Sequence, residues 1–218
     1  MQILISIAFT AILTTAILLS ITAFAFRDQL TNTITLADMK YCERKIQEQY
    51  QVYTEKNRKL DNDLNIDALD IEKLAQSLRL QMKCVPSLKE NVRAHLDIAP
   101  NGSNYNGVIS YVANEKNDYQ TNFDIIHEIM HYLDDVGYGK KVTTSFTRKN
   151  HGDRRAYHEQ MIDYYAAAVA IPKDNLQRRI MLYSGNPYDK YFIMELAEIY
   201  KQPIETVKRR ISEVVAMS

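Results

Sequence analysis

The sequence predicts an α+β fold that is mainly helical, with a small antiparallel sheet, preceded by one transmembrane helix. Several segments carry apolar residues at the three- and four-residue spacing of amphipathic helices. Two short β-type runs flank the turn-forming sequence APNGSNYNG, and the N-terminal part of the chain contains a long stretch without charge. The 218 residues are enough for one compact domain and an attachment.

The uncharged stretch runs from Ile3 to Phe26, and as a helix it would rise roughly 36 Å, enough to cross a bilayer. A cleaved signal peptide is the alternative, because Ala23-Phe24-Ala25 is similar to a cleavage site. Signal peptides, however, have a positive N-terminus and a shorter apolar core of about 7 to 15 residues. The sequence therefore predicts an uncleaved anchor in residues 1–30. Basic residues follow the span and none precedes it, which predicts a cytoplasmic location for the rest of the chain.

Residues 31–62 are predicted to form a helical stalk or linker, and residues 63–218 a single domain that includes the C-terminal helices. From Asp38 to about Leu60 the chain is polar and has no Gly or Pro, and its few apolar residues fall at helical intervals. This pattern indicates a solvated stalk helix. The segment Asp67 to Leu80 is amphipathic and is predicted to open the domain. The two predicted strands are Val92 to Ile98 and Val108 to Val112.

Helical patterns dominate the remainder of the domain. A helix is expected to begin near Thr121 or Asn122, where Asp124 completes a capping box, and to end at Gly137. A polar stretch, Gly139 to Gly152, separates this helix from the next. The further helices are predicted at Asp153 to Ile171 before Pro172, at Lys190 to Lys201, and at Ile204 to Val215 with Pro203 in its first turn.

Net charge and cysteine content argue against nucleic-acid binding and against a disulfide framework. The 27 basic and 27 acidic residues cancel, so no overall field attracts nucleic acid, and nucleic acid is not an expected partner. The last two helices have the helix-turn-helix arrangement of a DNA-reading element, with local charge in Lys208, Arg209 and Arg210. Completing the core or docking a helical partner is nevertheless the favoured role of these helices. Cys42 and Cys84 fit neither a metal-binding spacing nor a disulfide framework, which predicts free thiols.

The sequence NFDIIHEIMHYLDD places two histidines and a glutamate within an otherwise apolar helical pattern. His127 and His131 are four residues apart and share one face of a helix, while Glu128 lies about one step round it. The pattern H-E-x-x-H on a helix is typical of zinc sites, in which both imidazoles bind the metal and the glutamate acts as general base. We therefore predict metal ligands at both histidines and a catalytic Glu128. The alternative is a pair of satisfied or surface histidines.

A catalytic zinc site needs a third protein ligand and one open position. A third histidine six residues after His131 is missing, because position 137 is Gly. Asp134 and Asp135 lie one turn beyond His131, where they are more naturally solvated residues at a helix C-terminus. His151 lies in the polar stretch and remains a candidate.

Glu159 is the favoured third ligand, because it lies on a second helix and Asp163 follows four residues later on the same face. Glu159 would bind zinc while Asp163 accepts the second ring N–H of one histidine, fixing the orientation of that ring. The small residues Ala166 to Ala168 would allow the two helices to approach closely. The alternative is that Glu159 and Asp163 form the solvated face of an amphipathic helix.

Two segments resemble the motifs of the ImmA/IrrE zinc metallopeptidase family. HEIMH is followed, after a gap of 27 residues, by EQMIDYYAAAVAIP, and the second family motif runs approximately E-x-E-A-N-x-F-A-A-x-L-L-x-P. The likeness extends from about Asp67 to Val215. Met161 departs from a usual acid and Ile162 from a usual alanine, and the membrane span and stalk are not typical of the family. The positions that match are Glu159, Ala166, Ala167 and Pro172, with Asp163 at the family's Asn and Tyr165 at its Phe.

The resemblance implies a gluzincin-like minimal metallopeptidase in which His127, His131 and Glu159 bind one Zn²⁺ and Glu128 is catalytic. It also implies narrow proteolysis of a regulatory protein, often a repressor of a mobile element. The expected function is therefore that of a membrane-anchored zinc-dependent endopeptidase. A membrane-tethered zinc-binding sensor or adaptor without turnover is the alternative. Structural zinc sites tend to be closed by four protein ligands, so three ligands and a glutamate placed as a base favour the enzyme.

Overall fold

A computed structural model describes residues 34–58, 68–89, 92–113, 118–136 and 153–218. The predicted transmembrane anchor in residues 1–30 and the predicted polar stretch Gly139 to Gly152 lie outside the described residues. Within the described part of the chain, no helix has both the length and the apolar character needed to cross a bilayer. The main compact unit comprises Thr35–Lys149 and Met161–Ser218, and residues 153–160 belong to a second unit.

The described elements are mainly helices around a small sheet, which fits the predicted α+β class. Two π-helical turns, Ile46–Tyr50 and Tyr132–Val136, extend neighbouring α-helices. The strands are β1 Leu80–Cys84, β2 Ala94–Ile98 and β3 Gly107–Tyr111. The α-helices are α1 Leu36–Lys45, α2 Gln51–Glu55, α3 Ile71–Ser77, α4 Asp118–His131, α5 Asp153–Ala170, α6 Lys173–Leu182, α7 Lys190–Tyr200 and α8 Ile204–Met217.

The sheet is mixed, with its three described strands in the order β1-β3-β2. The strands β2 and β3 pair in antiparallel direction, as predicted. The strand β1 pairs with β3 in parallel direction, so the prediction of a purely antiparallel sheet is wrong. The predicted helix Asp67 to Leu80 is shorter than expected, and Arg79, with a φ of 55° in the left-handed region, leads the chain from α3 into β1.

One face of the sheet forms the core beneath helix α4. Leu80, Leu96 and Ile109 are buried, and α4 packs against β2 and β3. Gly107 permits the close pairing of β3 with β2, because a Cβ atom at this position would lie 2.8 Å from the backbone oxygen of Asp97. The backbone contact leaves no room for any other residue type without a shift of the strands.

Helix α4 begins earlier than the sequence indicates. It starts at Asp118, so the predicted cap at Thr121 or Asn122 is wrong, and both residues lie inside the helix. Asp124 instead accepts a hydrogen bond from Arg93 Nη2 at 3.1 Å, which ties α4 to the segment before β2. The predicted stop at Gly137 lies outside the described residues.

The later helices follow the predictions closely, with one addition. Helix α5 ends at Ala170, just before Pro172, and α7 and α8 occupy the predicted segments. Helix α6 was not predicted. Pro172 stands at its N-terminal cap, so one proline both stops α5 and starts the next helix.

The N-terminal helical segment, Leu36–Glu55, buries one face where the sequence predicts a solvated stalk. Cys42 and Tyr50 are fully buried. Glu43 accepts a hydrogen bond from Arg210 Nη2 at 2.6 Å, which joins α1 to α8. The segment is therefore part of the main compact unit.

Arg210 is a charged residue on the apolar face of α8, and it is 0% exposed. Its Nε donates to the backbone oxygen of Ile171 at 3.0 Å, and its Nη1 donates to Tyr164 Oη at 3.0 Å and to Glu213 at 3.3 Å. With Glu43 these bonds satisfy the buried guanidinium. Arg210 thereby fixes the end of α5 against both α1 and α8.

Candidate metal centre

Helix α4 carries the histidine pair into the interior of the main unit. Ile126, Ile129 and Met130 are fully buried, which places the intervening positions close to the core. His127 is 8% exposed and His131 is 3% exposed, whereas Glu128 is half-buried. Buried imidazoles require partners, so their surroundings decide their role.

The two imidazoles bring their ε-nitrogens close together. Nε2 of His127 lies 3.1 Å from Nε2 of His131, and the ring centroids are 4.8 Å apart. Two zinc–nitrogen bonds of about 2.0–2.1 Å ending on nitrogens at this 3.1 Å separation would enclose an angle of roughly 95–102°. This angle is near the tetrahedral value, so the separation of the two nitrogens fits two adjacent zinc ligands.

Asp163 holds the other side of the first ring. Its Oδ1 lies 2.8 Å from Nδ1 of His127. A carboxylate only accepts hydrogen bonds, so Nδ1 carries the proton, and in the neutral ring Nε2 presents its lone pair. Asp163 therefore sets the tautomer of His127 that a metal requires.

Glu159 lies one helical turn before Asp163 on the continuous helix α5. Among the described residues, His127, His131 and Glu159 form a group able to hold a metal ion, with one ligand atom from each and all of these atoms within 4.8 Å of one another. Ligand atoms that share one zinc ion lie at most about 4.2 Å apart, twice the metal–ligand distance. The 4.8 Å limit of this group is close to that value.

The other candidate ligands are placed differently. Asp134 is buried, pairs with Lys45 and accepts a hydrogen bond from Tyr50 Oη at 3.0 Å, so its carboxylate is already satisfied by cationic and hydroxyl partners. The side chain of Asp135 and all of His151 lie outside the described part of the chain. The structure therefore brings together the two predicted histidines and the favoured glutamate.

Both cysteines are free thiols, as predicted, and neither belongs to this group. Cys42 is buried with its Sγ 3.6 Å from Sδ of Met161, and burial raises the pKa of its thiol to about 12. A protonated thiol neither binds zinc nor attacks a carbonyl. The donors of the centre are therefore nitrogen and oxygen atoms.

Sequence reasoning did not predict the buried polar contacts of Lys45, Tyr50 and Arg210. The signal for Arg210 was present, because it stands between Val207 and Ile211 on the buried face of α8. A cation at such a position requires a buried anion. Lys45 and Tyr50 gave no comparable signal, since the surrounding sequence is polar.

The comparison with protein families gives one match that covers more than half of the chain. Residues 86–212 match the peptidase family described as the IrrE N-terminal-like domain. The comparison with curated proteins gives no match. The matched segment includes the histidine pair, Glu128, Glu159 and Asp163. The chain therefore belongs to the peptidase family of the IrrE N-terminal-like domain, the ImmA/IrrE family that its motifs resemble.

Proposed function

We propose that this chain is a zinc-dependent endopeptidase that hydrolyses a peptide bond in a protein substrate. The observation that carries the proposal is the 3.1 Å approach of the two ε-nitrogens, with Asp163 bonded to the opposite nitrogen of His127. A surface pair of histidines needs neither the burial nor the carboxylate. A satisfied buried pair would explain the 3.1 Å contact as a hydrogen bond, but it requires neither Asp163 nor Glu159 nearby. Membership of a peptidase family supports the same conclusion.

His127, His131 and Glu159 would hold the ion and leave one coordination position open. When bound, zinc supplies Lewis-acid polarisation of the scissile carbonyl and lowers the pKa of the attacking water towards about 7. Asp163 keeps the proton on Nδ1 of His127 and so keeps Nε2 available. The charge of the ion would also offset the cost of holding the half-buried Glu159 carboxylate beside two imidazoles.

Glu128 acts as the general base and then as the general acid. It follows His127 directly and is half-buried, so its carboxylate is accessible to water. Its carboxylate takes a proton from the water as the oxygen attacks the carbonyl carbon, and it delivers this proton to the nitrogen as the C–N bond breaks. The products are a carboxylate and an amine, so the protons balance.

The substrate that we propose is a regulatory protein such as a repressor, as the family resemblance implies. The uncharged segment Ile3 to Phe26 supports a membrane anchor, with the peptidase domain on the cytoplasmic side. A membrane-held peptidase would meet few proteins, which agrees with narrow specificity.

The test compares the full-length chain with its Glu128→Gln variant in the same host cells. New protein N-termini are identified by mass spectrometry, and zinc content is measured on both purified proteins. We expect equal zinc content, with new N-termini produced by the unaltered chain alone. His95→Ala is the matched control, because His95 also pairs with a carboxylate, Asp97, but lies outside the metal-ligand group.

Cleavage that survives in Glu128→Gln would refute the proposed role of the glutamate. A chain that binds zinc and retains an intact partner without producing new N-termini would support the sensor or adaptor alternative instead. A chain that binds no zinc would refute both functions.

A further inference from the structure

The N-terminal helical segment lies outside the matched family domain, which covers residues 86–212, yet two ion pairs, among other contacts, join it to that domain. The first contact joins Glu43 of α1 to Arg210 of α8. The second joins Lys45, the last residue of α1, to Asp134 in the π-helical turn that follows α4. Of these two contacts, the second lies directly after the helix that carries the histidine pair.

The second contact is a buried polar cluster on Asp134. Lys45 Nζ forms an ion pair with Oδ1 of Asp134, and Tyr50 Oη donates to the same oxygen at 3.0 Å. The Lys45 ammonium also lies 5.1 Å from the ring centroid of Tyr165 and 5.7 Å from that of Tyr50. The aromatic faces and the carboxylate stabilise a cation that is largely removed from water.

This cluster is placed where helix geometry changes. Helix α4 ends at His131, and the next residues, Tyr132–Val136, form a π-helical turn. Tyr50 itself ends the other π-helical turn, Ile46–Tyr50. Such turns are rare and frequently lie at functional sites. Asp134 is three residues beyond His131, so a bond to Asp134 restrains the turn that follows the second histidine.

We propose that Lys45 and Tyr50 are positioning residues for the metal centre. Acting through Asp134, they fix the C-terminal end of α4 and thereby the direction of Nε2 of His131. Asp163 orients His127 from α5, and the N-terminal helical segment supplies the corresponding restraint on the second ring. This inference rests on the proposed function, because it assigns these residues to the same zinc site.

The Lys45–Asp134 contact and the Arg210 contacts join different elements. Arg210 bonds α8 to α1, to Tyr164 and to the backbone of Ile171, and none of these described partners lies on α4. Loss of Glu43 should therefore lower stability without changing the geometry of the histidine pair. Loss of the Lys45 ammonium should lower stability and also change the geometry of the histidine pair.

The experiment measures zinc affinity on the full-length chain by competition with a chromophoric chelator, together with the absorption spectrum of bound Co²⁺. Lys45→Met keeps the aliphatic stem and removes the charge, and Tyr50→Phe removes only the hydroxyl. We expect Lys45→Met to weaken zinc binding by about tenfold and Tyr50→Phe by about threefold, because residues that orient metal ligands typically contribute such factors. The Co²⁺ spectrum of Lys45→Met should shift as the ligand geometry loosens.

Glu43→Gln is the matched control, since it breaks a buried ion pair on the same helix. It should lower the unfolding temperature and leave zinc affinity within about twofold of the unaltered chain. If Glu43→Gln does not fold, Glu213→Gln weakens the same Arg210 cluster and takes its place. Combining Lys45→Met with Asp134→Asn should weaken zinc binding no further than Asp134→Asn alone, because both changes remove the same contact.

Unchanged zinc affinity and an unchanged Co²⁺ spectrum in Lys45→Met would overturn the positioning role. An equal loss of affinity in Glu43→Gln would also overturn it, because general stability would then explain the effect. In both cases the unaltered chain still binds zinc, and the proposed function stands. Failure of the unaltered chain to bind zinc would instead refute the proposed function itself.

Discussion

Replacement of Asp163 by alanine is the perturbation that most sharply separates a metal centre from a buried histidine pair. The carboxylate lies 2.8 Å from Nδ1 of His127 and is the group that fixes which ring nitrogen carries the proton. Without this carboxylate, the Nδ1–H group can only donate to water, and the population of the tautomer with a free Nε2 falls. The variant should therefore bind zinc more weakly while the second imidazole and Glu159 remain.

The size of the effect follows from the exposure of the carboxylate. Removal of a group that hydrogen-bonds a metal ligand typically lowers metal affinity 10- to 100-fold. The Asp163 side chain is 38% exposed, so solvent screens part of its interaction with the ring. We therefore expect the lower end of the range, about tenfold in Kd, or roughly 1.4 kcal/mol.

The assay is chelator competition on the purified full-length chain, with Asp97→Ala as the control. Asp97 pairs with His95 at 3.1 Å, and its side chain is 65% exposed, but this histidine lies outside the metal-ligand group. Zinc affinity should be unchanged in the control. Asp163→Ala binding zinc as tightly as the unaltered chain would refute the assignment of Asp163 as the residue that orients His127.

Three further predictions concern stability and the metal. Arg210→Met removes the cation that bonds the half-buried Glu43 and the buried Glu213, which should remove about 3–5 kcal/mol and lower the unfolding temperature by roughly 6–20 °C near pH 8. Burial raises the pKa of Glu213 above its usual value, partly offset by Arg210, so loss of the arginine raises this pKa further. The destabilisation should therefore shrink as the pH is lowered from 8, and an equal loss of stability at every pH would contradict this account. Gly107→Ala should lower stability by about 1–3 kcal/mol in denaturant titrations, because its Cβ would lie 2.8 Å from a backbone oxygen, and an unchanged midpoint would show that the strands adjust freely. Removing zinc with a chelator should abolish cleavage and lower the unfolding temperature, and added Zn²⁺ should restore both, whereas cleavage that persists in the metal-free chain would exclude metal catalysis.

The grouping of the metal-ligand residues could be predicted from sequence because helix geometry is local. A spacing of four residues brings His127 and His131 onto one face, and the same spacing relates Glu159 to Asp163. Each pair needs only the existence of its helix; the helix of the histidines was evident from apolar periodicity, and the second helix was predicted up to its stop at Pro172. The meeting of the two pairs followed from the requirement that buried imidazoles have partners.

The contacts of the N-terminal helical segment could not be predicted, because they depend on tertiary packing. Nothing in the polar sequence around Lys45 and Tyr50 indicates that Asp134, more than 80 residues away, is their partner. The same holds for the 2.6 Å bond between Glu43 and Arg210. Long polar side chains can lie in solvent or bury their stems, and the sequence pattern does not distinguish these outcomes.

The parallel pairing of β1 was missed for a related reason. The segment Leu80–Cys84 begins immediately after a short helix and has one buried residue at its start, so its pattern is weak. Its pairing with β3 is set by the left-handed backbone at Arg79, a conformation that an arginine rarely adopts and that local propensity does not favour. Tertiary contacts therefore decided this part of the sheet.

X-ray absorption at the zinc edge, recorded on the purified full-length chain and on its His131→Ala and Glu159→Ala variants, tests the zinc centre most directly. We expect one zinc ion per chain, with only nitrogen and oxygen ligands at about 2.0–2.2 Å and scattering from two imidazoles. His131→Ala should lose one imidazole, and Glu159→Ala should keep both while losing an oxygen ligand. Sulfur ligands, or a zinc environment unchanged in both variants, would contradict the centre formed by His127, His131 and Glu159.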